Sequence, residues 1–539
     1  MSTKHYRGWI HDSLQYFRRL DSHRCAASVA AVAAAWMAML STRYTALGLA
    51  DVRGGVGAGF DDGSWITTAY PTGEVIGIVA GCWLAAAISL KRILIGAATV
   101  FTISSLLPLL TPHWTTVVAV RLIQGLAGGA LLPMAIVGLL RSLPPAYRAL
   151  AIALYTSAST LAPQLAGALT GWLLNTGDWQ LLFWANIPLG LMAICAAAYG
   201  FPREALRLRP LLGIDRFRLL LLVSSLALLS CAFDQGNRLD WLNSGLIRGL
   251  LFAGGAALCA YLIYLVRLRK NYLLGAGLIL RRNVTLGALG VVPFGIAGLG
   301  CAYVIPEYLV QAHVYRPDNI APTLWDAAWP QILAYGVGII SLSKRWIPPR
   351  TLLAAGFVFV AAGLIRDSLG LYGVWIEPDL RLGQILQGFG LPLILLPLLF
   401  LFVSDLVPQE GLQAALLFNV LRSLGGTVGL ATIETLDRFR EQIRSNVLVE
   451  HIVIGAQTTV QHLDLLTSIV SGRSIGDAQA TARATTLLSE AVQNQAQILG
   501  HADTLAALGA TMLIAALFAF SMAPAGSGHP VERQSIPNK

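Results

Sequence analysis

Apolar residues run along this chain in long blocks, and charged residues gather in short clusters between them. Fourteen blocks can be read, near 26–50, 64–88, 93–111, 115–140, 148–171, 180–200, 216–234, 246–267, 285–310, 321–343, 351–370, 380–404, 412–436 and 504–523. Each is close to the roughly 20 residues that a helix needs to cross hydrocarbon. Helices and closed barrels are the only backbones that satisfy their own hydrogen bonds in lipid. The pattern therefore predicts an all-α polytopic membrane protein; Pro133, Pro163, Pro293, Pro330, Pro392 and Pro397 lie inside blocks and blur their bounds, and Pro163 is expected to kink its helix.

Composition sharpens this picture. Of 539 residues, 55% are hydrophobic and 12% charged, about half the charged fraction of a soluble domain. Mean hydropathy is +0.65. The net charge of +10 does not indicate a nucleic-acid partner, because Lys and Arg collect in alternate connections. Examples are Lys91 with Arg92, Arg141 with Arg148, and Lys344 with Arg345. That alternation places both termini in the cytoplasm for an even number of spans. The first apolar block follows about 24 polar residues and has many successors, so it reads as a span and not as a cleaved signal peptide. The six cysteines form no CxxC pair, which argues against a disulfide framework or thiolate metal site.

Two segments outside the spans have a pattern of their own. Within 1–25, Tyr6, Ile10, Leu14 and Phe17 fall at helical spacing among arginines. This reads either as an amphipathic helix in the cytoplasmic interface or as a basic tail that enforces topology. The insertion 437–503 is polar but studded with Leu and Ile. It predicts a helical extension outside the cytoplasm that docks a protein, or else a loose loop. The polar tail 524–539 reads as disordered.

Charged residues inside the apolar blocks are the candidate chemistry, since such groups are costly in lipid and pair or face a cavity. Glu74 lies about three turns into span two, Arg43 in span one and Arg121 in span four. The expectation is one carboxylate facing two guanidiniums in a shared chamber. Desolvation favours the neutral carboxyl and nearby cations favour the carboxylate, so such a cluster either loads and releases a proton or acts as a permanent ion pair that fixes packing. Gly125, Gly128 and Gly129, following Arg121 and Gln124, allow a neighbouring helix to approach closely. Pro163, with Gly167 and Gly171, plays the same part in span five, where Gln164 also lies. Glu307, Asp326 and Arg422 are further ionisable candidates for the substrate cavity, and Tyr70, Trp65, Trp325 and Trp329 are aromatic ones.

The enzyme reading is weak. All nine histidines fall in predicted loops or termini, HExxH is absent, and the Gly54–Gly59 stretch reads as loop and not as a phosphate cradle. No metal or cofactor is expected.

Several motifs together resemble the major facilitator superfamily, in its fourteen-helix drug:proton antiporter branch (EmrB/QacA type). They are GSWITTAY (63–70), RLIQG (121–125), LPPAYR (143–148), DWQLLFWANIPLG (178–190), LDWLNS (239–244), RRNVTLG (281–287) and FNVLRSLGGTVG (418–429). The resemblance implies two six-helix bundles, 26–200 and 285–523, joined by two additional helices in 201–284. It also implies proton-driven export of small amphiphilic compounds across the bacterial inner membrane by alternating access. Partners implied are the substrate, protons, membrane lipid, and a periplasmic adaptor (membrane fusion protein) with an outer-membrane channel, the insertion 437–503 standing where such relatives have a periplasmic loop. Export of one dedicated endogenous metabolite, or a transporter-like binding scaffold, are the alternatives. The chain departs from the family pattern where Ser41 replaces the usual span-one aspartate. Ala86, Ala87 and Ser89 replace most of the gate motif between spans two and three, leaving Lys91 and Arg92. The missing aspartate leaves Glu74 to carry the proton, with Arg43 and Arg121 tuning it.

Overall fold

The computed structural model describes residues 21–522 except 86, 111–112, 206–214, 268–275, 280, 373–374, 405, 408–409, 451, 453–456 and 472–476. Of the interface helix expected in 1–25, residues 1–20 lie outside the described residues and Ser22 to Cys25 belong to the first membrane helix; the tail from 524 also lies outside the described residues.

Helices occupy all fourteen expected positions. They are α1 (Ser22–Leu47), α2 (Phe60–Ala85), α3 (Leu90–Ser104), α4 (Trp114–Ser142), α5 (Arg148–Thr176), α6 (Ile187–Gly200) and α7 (Arg216–Gly236). They continue as α8 (Gly245–Arg267), α9 (Arg282–Leu299), α10 (Pro317–Lys344), α11 (Pro349–Leu371), α12 (Glu377–Phe402), α13 (Gly411–Glu450) and α14 (Asp477–Ala519). No strand occurs among the described residues. Polar residues set several starts: Asp21, Ser89 and Asp215 each accept from a backbone N–H of the first turn. Past α9 the chain makes a π turn at Gly300–Val304 and continues as Ile305–His313.

Among the described residues, ten helices are long and apolar enough to cross a membrane by themselves. The exceptions are α2, α3, α5 and α10. The reason is physical: α3 has only 15 residues, and α2 and α5 carry Thr67, Glu74, Ser159, Thr160 and Gln164 on an internal cavity. A helix that faces a polar interior and not lipid need not be apolar all round.

In the first half, α1 packs on α4, α5 and α6, α2 on α4, and α3 on α4 and α6. In the second half, α11 packs on α12 and α14, α10 on α12, and α13 on α9 and α14. The halves meet where α2 faces α13 and α5 faces α10 and α12. Of the two additional helices, α7 is wedged against both α2 and α13, whereas α8 packs chiefly on α7 and stays outward, with Phe252 80% exposed.

One sequence expectation changes, and an open alternative is decided among the described residues. The stretch Gly54–Gly59 is partly helical, since Leu49–Val56 forms a short helix. For the insertion 437–503, the helical reading and not the loose loop matches the described residues: α13 has 40 residues and α14 has 43. At 1.5 Å per residue each is about 60 Å long, twice the hydrocarbon thickness. Their overhangs pack with a third helix, Gln457–Ser471, which lies against α14. A cavity of about 750 Å³ lies among the three, bordered by Arg438, Glu441, Leu463, Leu488 and Val492.

Candidate functional site

Glu74 owes its position to glycines. A Cβ placed on Gly125 or Gly129 of α4 would overlap the carbonyl oxygens of Tyr70 and Glu74, and one on Gly73 or Gly77 of α2 would overlap the α4 backbone at Leu122 or Leu126. The two helices therefore touch backbone to backbone, as small residues permit. With α4 behind it, Glu74 reaches the other half of the molecule: its Oε1 accepts from Arg422 Nη2 of α13 at 2.5 Å. Glu74 is 5% exposed and the Arg422 side chain 11%. Arg422 Nη1 also lies 3.5 Å from Met39 Sδ of α1. The ion pair thus spans the seam between the halves.

The pair borders a cavity of about 230 Å³ built from α1, α2, α5, α7, α9, α12 and α13. Met39, Phe294, Leu391 and Leu430 supply apolar wall, while Arg43, Gln164 and Asp234 face the same space. Chemically this is a small chamber of mixed character, an apolar wall with two guanidiniums and two carboxylates around it.

The expected grouping of Glu74 with both Arg43 and Arg121 is only partly what the fold brings together. Arg43 shares the cavity with Glu74, but no carboxylate among the described residues lies within ion-pair distance of it. Arg121 does not border the cavity. It is 1% exposed and donates to Ser41 Oγ at 2.9 Å and Gln124 Oε1 at 3.0 Å. Its guanidinium carbon lies 4.4 Å from the centre of the Tyr70 ring. Helix register explains the difference. Gly125 meets Tyr70 and Gly129 meets Glu74, so Arg121, four residues earlier, is level with Ile66. That is two turns, about 12 Å, away from Glu74. Ser41, standing where the resemblance expects an aspartate, gives this cation a hydroxyl.

The remaining candidates divide the same way. Tyr70 donates to Ala38 O at 2.7 Å and Gln124 to Ser105 Oγ at 2.9 Å, so both belong to the Arg121 cluster. Gly128 lies beneath the Tyr70 hydroxyl. Pro163 and Gln164 border the cavity. Gly171 abuts the backbone of Pro317 and Asp318 and Gly167 abuts Leu324, which brings α5 close to α10. Glu307 and Asp326 lie outside the cavity: Glu307 accepts from Gln311 at 2.8 Å, and Asp326 from Arg381 Nε at 2.9 Å. Lys91 donates to the Phe201 carbonyl at 2.7 Å and caps the end of α6, and Arg92 is exposed. Across the seam, Arg148 of the LPPAYR motif donates to the Val403 carbonyl at the end of α12.

Four buried or half-buried groups were missed. Asp234, on additional helix α7, borders the cavity and accepts from the Thr68 hydroxyl. It lies in the CAFDQGN stretch at the end of an apolar block, where its charge reads as a span boundary. Asp367 is fully buried and accepts from Gln384 at 3.0 Å and Gln387 at 2.8 Å; the Arg-Asp pair inside span eleven was the available signal. Glu434 of α13 lies beside the Tyr303 side chain. His501, expected in a loop, is 2% exposed within α14, with Nδ1 2.9 Å from Asp437 Oδ2 and Nε2 2.9 Å from Gln311 Oε1. Among the described residues no three His, Cys, Asp or Glu side chains are grouped to hold a metal.

A family model described as the Major Facilitator Superfamily matches residues 31–430. The chain is 27% identical over 430 residues to the multidrug export protein EmrB of Haemophilus influenzae, covering 78% of this chain and 81% of that one. It is 27% identical over 461 residues to the fatty acid resistance protein FarB of Neisseria gonorrhoeae, covering 82% and 87%. Among solved structures, the proton:xylose symporter XylE superposes with a TM-score of 0.59 at 13% identity, covering 94% of this chain and 97% of that one. At that identity the likeness is one of fold.

Proposed function

We propose that this chain, which belongs to the major facilitator superfamily, is a proton-coupled exporter of small amphiphilic compounds. The observation that carries the reading is the Glu74–Arg422 ion pair, a buried carboxylate and guanidinium held on opposite halves of the fold beside a shared cavity. Alternating access requires the halves to rock apart. A proton on Glu74 removes the charge that binds it to Arg422 and so loosens α2 from α13. Export of the substrate and entry of the proton are linked because both act on the same seam. The cavity's 230 Å³ is below the roughly 300–1,000 Å³ of drug-sized sites, so loading involves some opening.

Relatives named for multidrug export and fatty acid resistance support an amphiphilic cargo. The basic connections support cytoplasmic termini, and on this reading the exporter sits in the bacterial inner membrane. The three-helix overhang formed by α13, Gln457–Ser471 and α14 is the surface on which a periplasmic adaptor would sit. The test is transport in proteoliposomes under an imposed proton gradient with wild type and Glu74→Gln. The variant is expected to lose uphill transport while retaining exchange of substrate down its own gradient. Unchanged uphill transport removes Glu74 from the mechanism.

A further inference from the structure

We propose that Arg43 anchors an anionic headgroup, so that the cavity selects amphiphiles bearing a single carboxylate or equivalent monoanion. This rests on reading the cavity as a transport site. Three guanidiniums lie deep in the fold, and two are accounted for. Arg422 has Glu74, and Arg121 has the Tyr70 ring, Ser41 and Gln124. Arg43 is half-buried on the cavity wall with no carboxylate at ion-pair distance among the described residues. Of the two carboxylates bordering the cavity, Glu74 is engaged by Arg422 and Asp234 by the Thr68 hydroxyl. A cation in the membrane interior is costly unless something compensates it. A guanidinium is shaped to hold a carboxylate through two parallel hydrogen bonds.

The surroundings match such a guest. Ser159, also on the cavity wall, has a buried hydroxyl without a hydrogen-bond partner, which can donate to the anion. Met39, Phe294, Leu391 and Leu430 offer apolar surface for a chain or ring. Glu74 and Asp234 border the same space and Arg422 is already paired, so among the described residues one unpaired guanidinium leaves a position for a single anionic group. The site therefore favours monoanions over dianions.

Binding is measured by calorimetry on protein in lipid nanodiscs, with empty discs subtracted. The probes are decanoate, decanol, decyltrimethylammonium and decanedioate. For wild type, decanoate is expected to bind at least about tenfold tighter than decanol, the order that charge-assisted hydrogen bonding supplies. Decanedioate and the cation are expected to bind more weakly. Arg43→Gln is expected to remove the preference for decanoate while leaving decanol affinity in place, which also reports folding, and Arg43→Lys to retain part of it. Equal affinity of wild type for decanoate and decanol overturns the proposal without any variant, as does undiminished decanoate preference in Arg43→Gln. If charge selection depends on Arg43 but Glu74→Gln still drives uphill transport, the anion site stands and the coupling reading fails. The reverse pattern sinks the anion site alone.

Discussion

The ion pair across the seam is open to a double-mutant cycle. Glu74→Gln leaves Arg422 in a largely buried position without its counter-charge, and Arg422→Gln leaves Glu74, 5% exposed, as an uncompensated carboxylate. Breaking a buried pair from one side costs about 3–5 kcal/mol. Replacing both partners by amides removes the stranded charge: a glutamine at 422 is too short to re-form the 2.5 Å Oε1–Nη2 contact, but two neutral amides cost far less to bury than one unpaired ion. The double variant is therefore expected to lose only about 1–2 kcal/mol. The resulting coupling energy is at least about 2 kcal/mol, within the 1.5–7 kcal/mol measured for close charge pairs. The assay is reversible unfolding in mixed micelles with increasing SDS, followed by tryptophan fluorescence, for the wild type, both single variants and the double. Additive losses, with a coupling below about 0.5 kcal/mol, would falsify the claim that these side chains form one interacting unit.

Two further changes probe the frame around the site. Gly129→Val forces side-chain atoms into the Glu74 carbonyl; overpacking of this kind costs about 1–3 kcal/mol, so a lower yield of folded protein on size exclusion and loss of transport are expected. At the turn between α7 and α8, Asn243 and Arg438 hold the Asp240 carboxyl below its usual range. A depressed carboxylate contributes stability above its unfolded value, near 3.9, and loses it as pH falls through the folded one. Protection of the amides at 237–244, taken as the measured exchange rate against the intrinsic rate at each pH, is accordingly expected to be high at neutral pH and to fall in acid. Arg438→Ala should show the lower protection already at pH 7, since it also removes the 3.1 Å bond to the Asn237 carbonyl.

Most of the architecture was legible because a bilayer imposes a simple rule on a chain. Length and apolarity alone mark segments such as α1, α4 and α12. Pairing was less legible. Arg43, Arg121 and Glu74 stood out as charges within apolar blocks, but spacing along a helix says nothing of which neighbour it meets. Arg121 and Glu74 belong to helices that pack tightly together and still do not pair, because the glycine contacts set their register two turns apart. Arg422 was visible as an intramembrane arginine but could not be matched to Glu74, which lies 348 residues away. Asp234 was hidden in a different way, on a helix that looked like a spacer between bundles and proved to border the cavity.

By itself, the amino-acid sequence determined that the protein is helical, membrane-spanning and equipped with a few ionisable groups too costly to be incidental. Those properties depend on transfer of each segment from water to hydrocarbon, which is a sum over local residues. Tertiary structure alone decided which charge answers which, why Arg43 is left facing the cavity, and how far α13 and α14 project beyond the span. Those outcomes depend on the relative register of helices distant in sequence, set by backbone contacts at single glycines and by the meeting of two halves. No local sum contains that information.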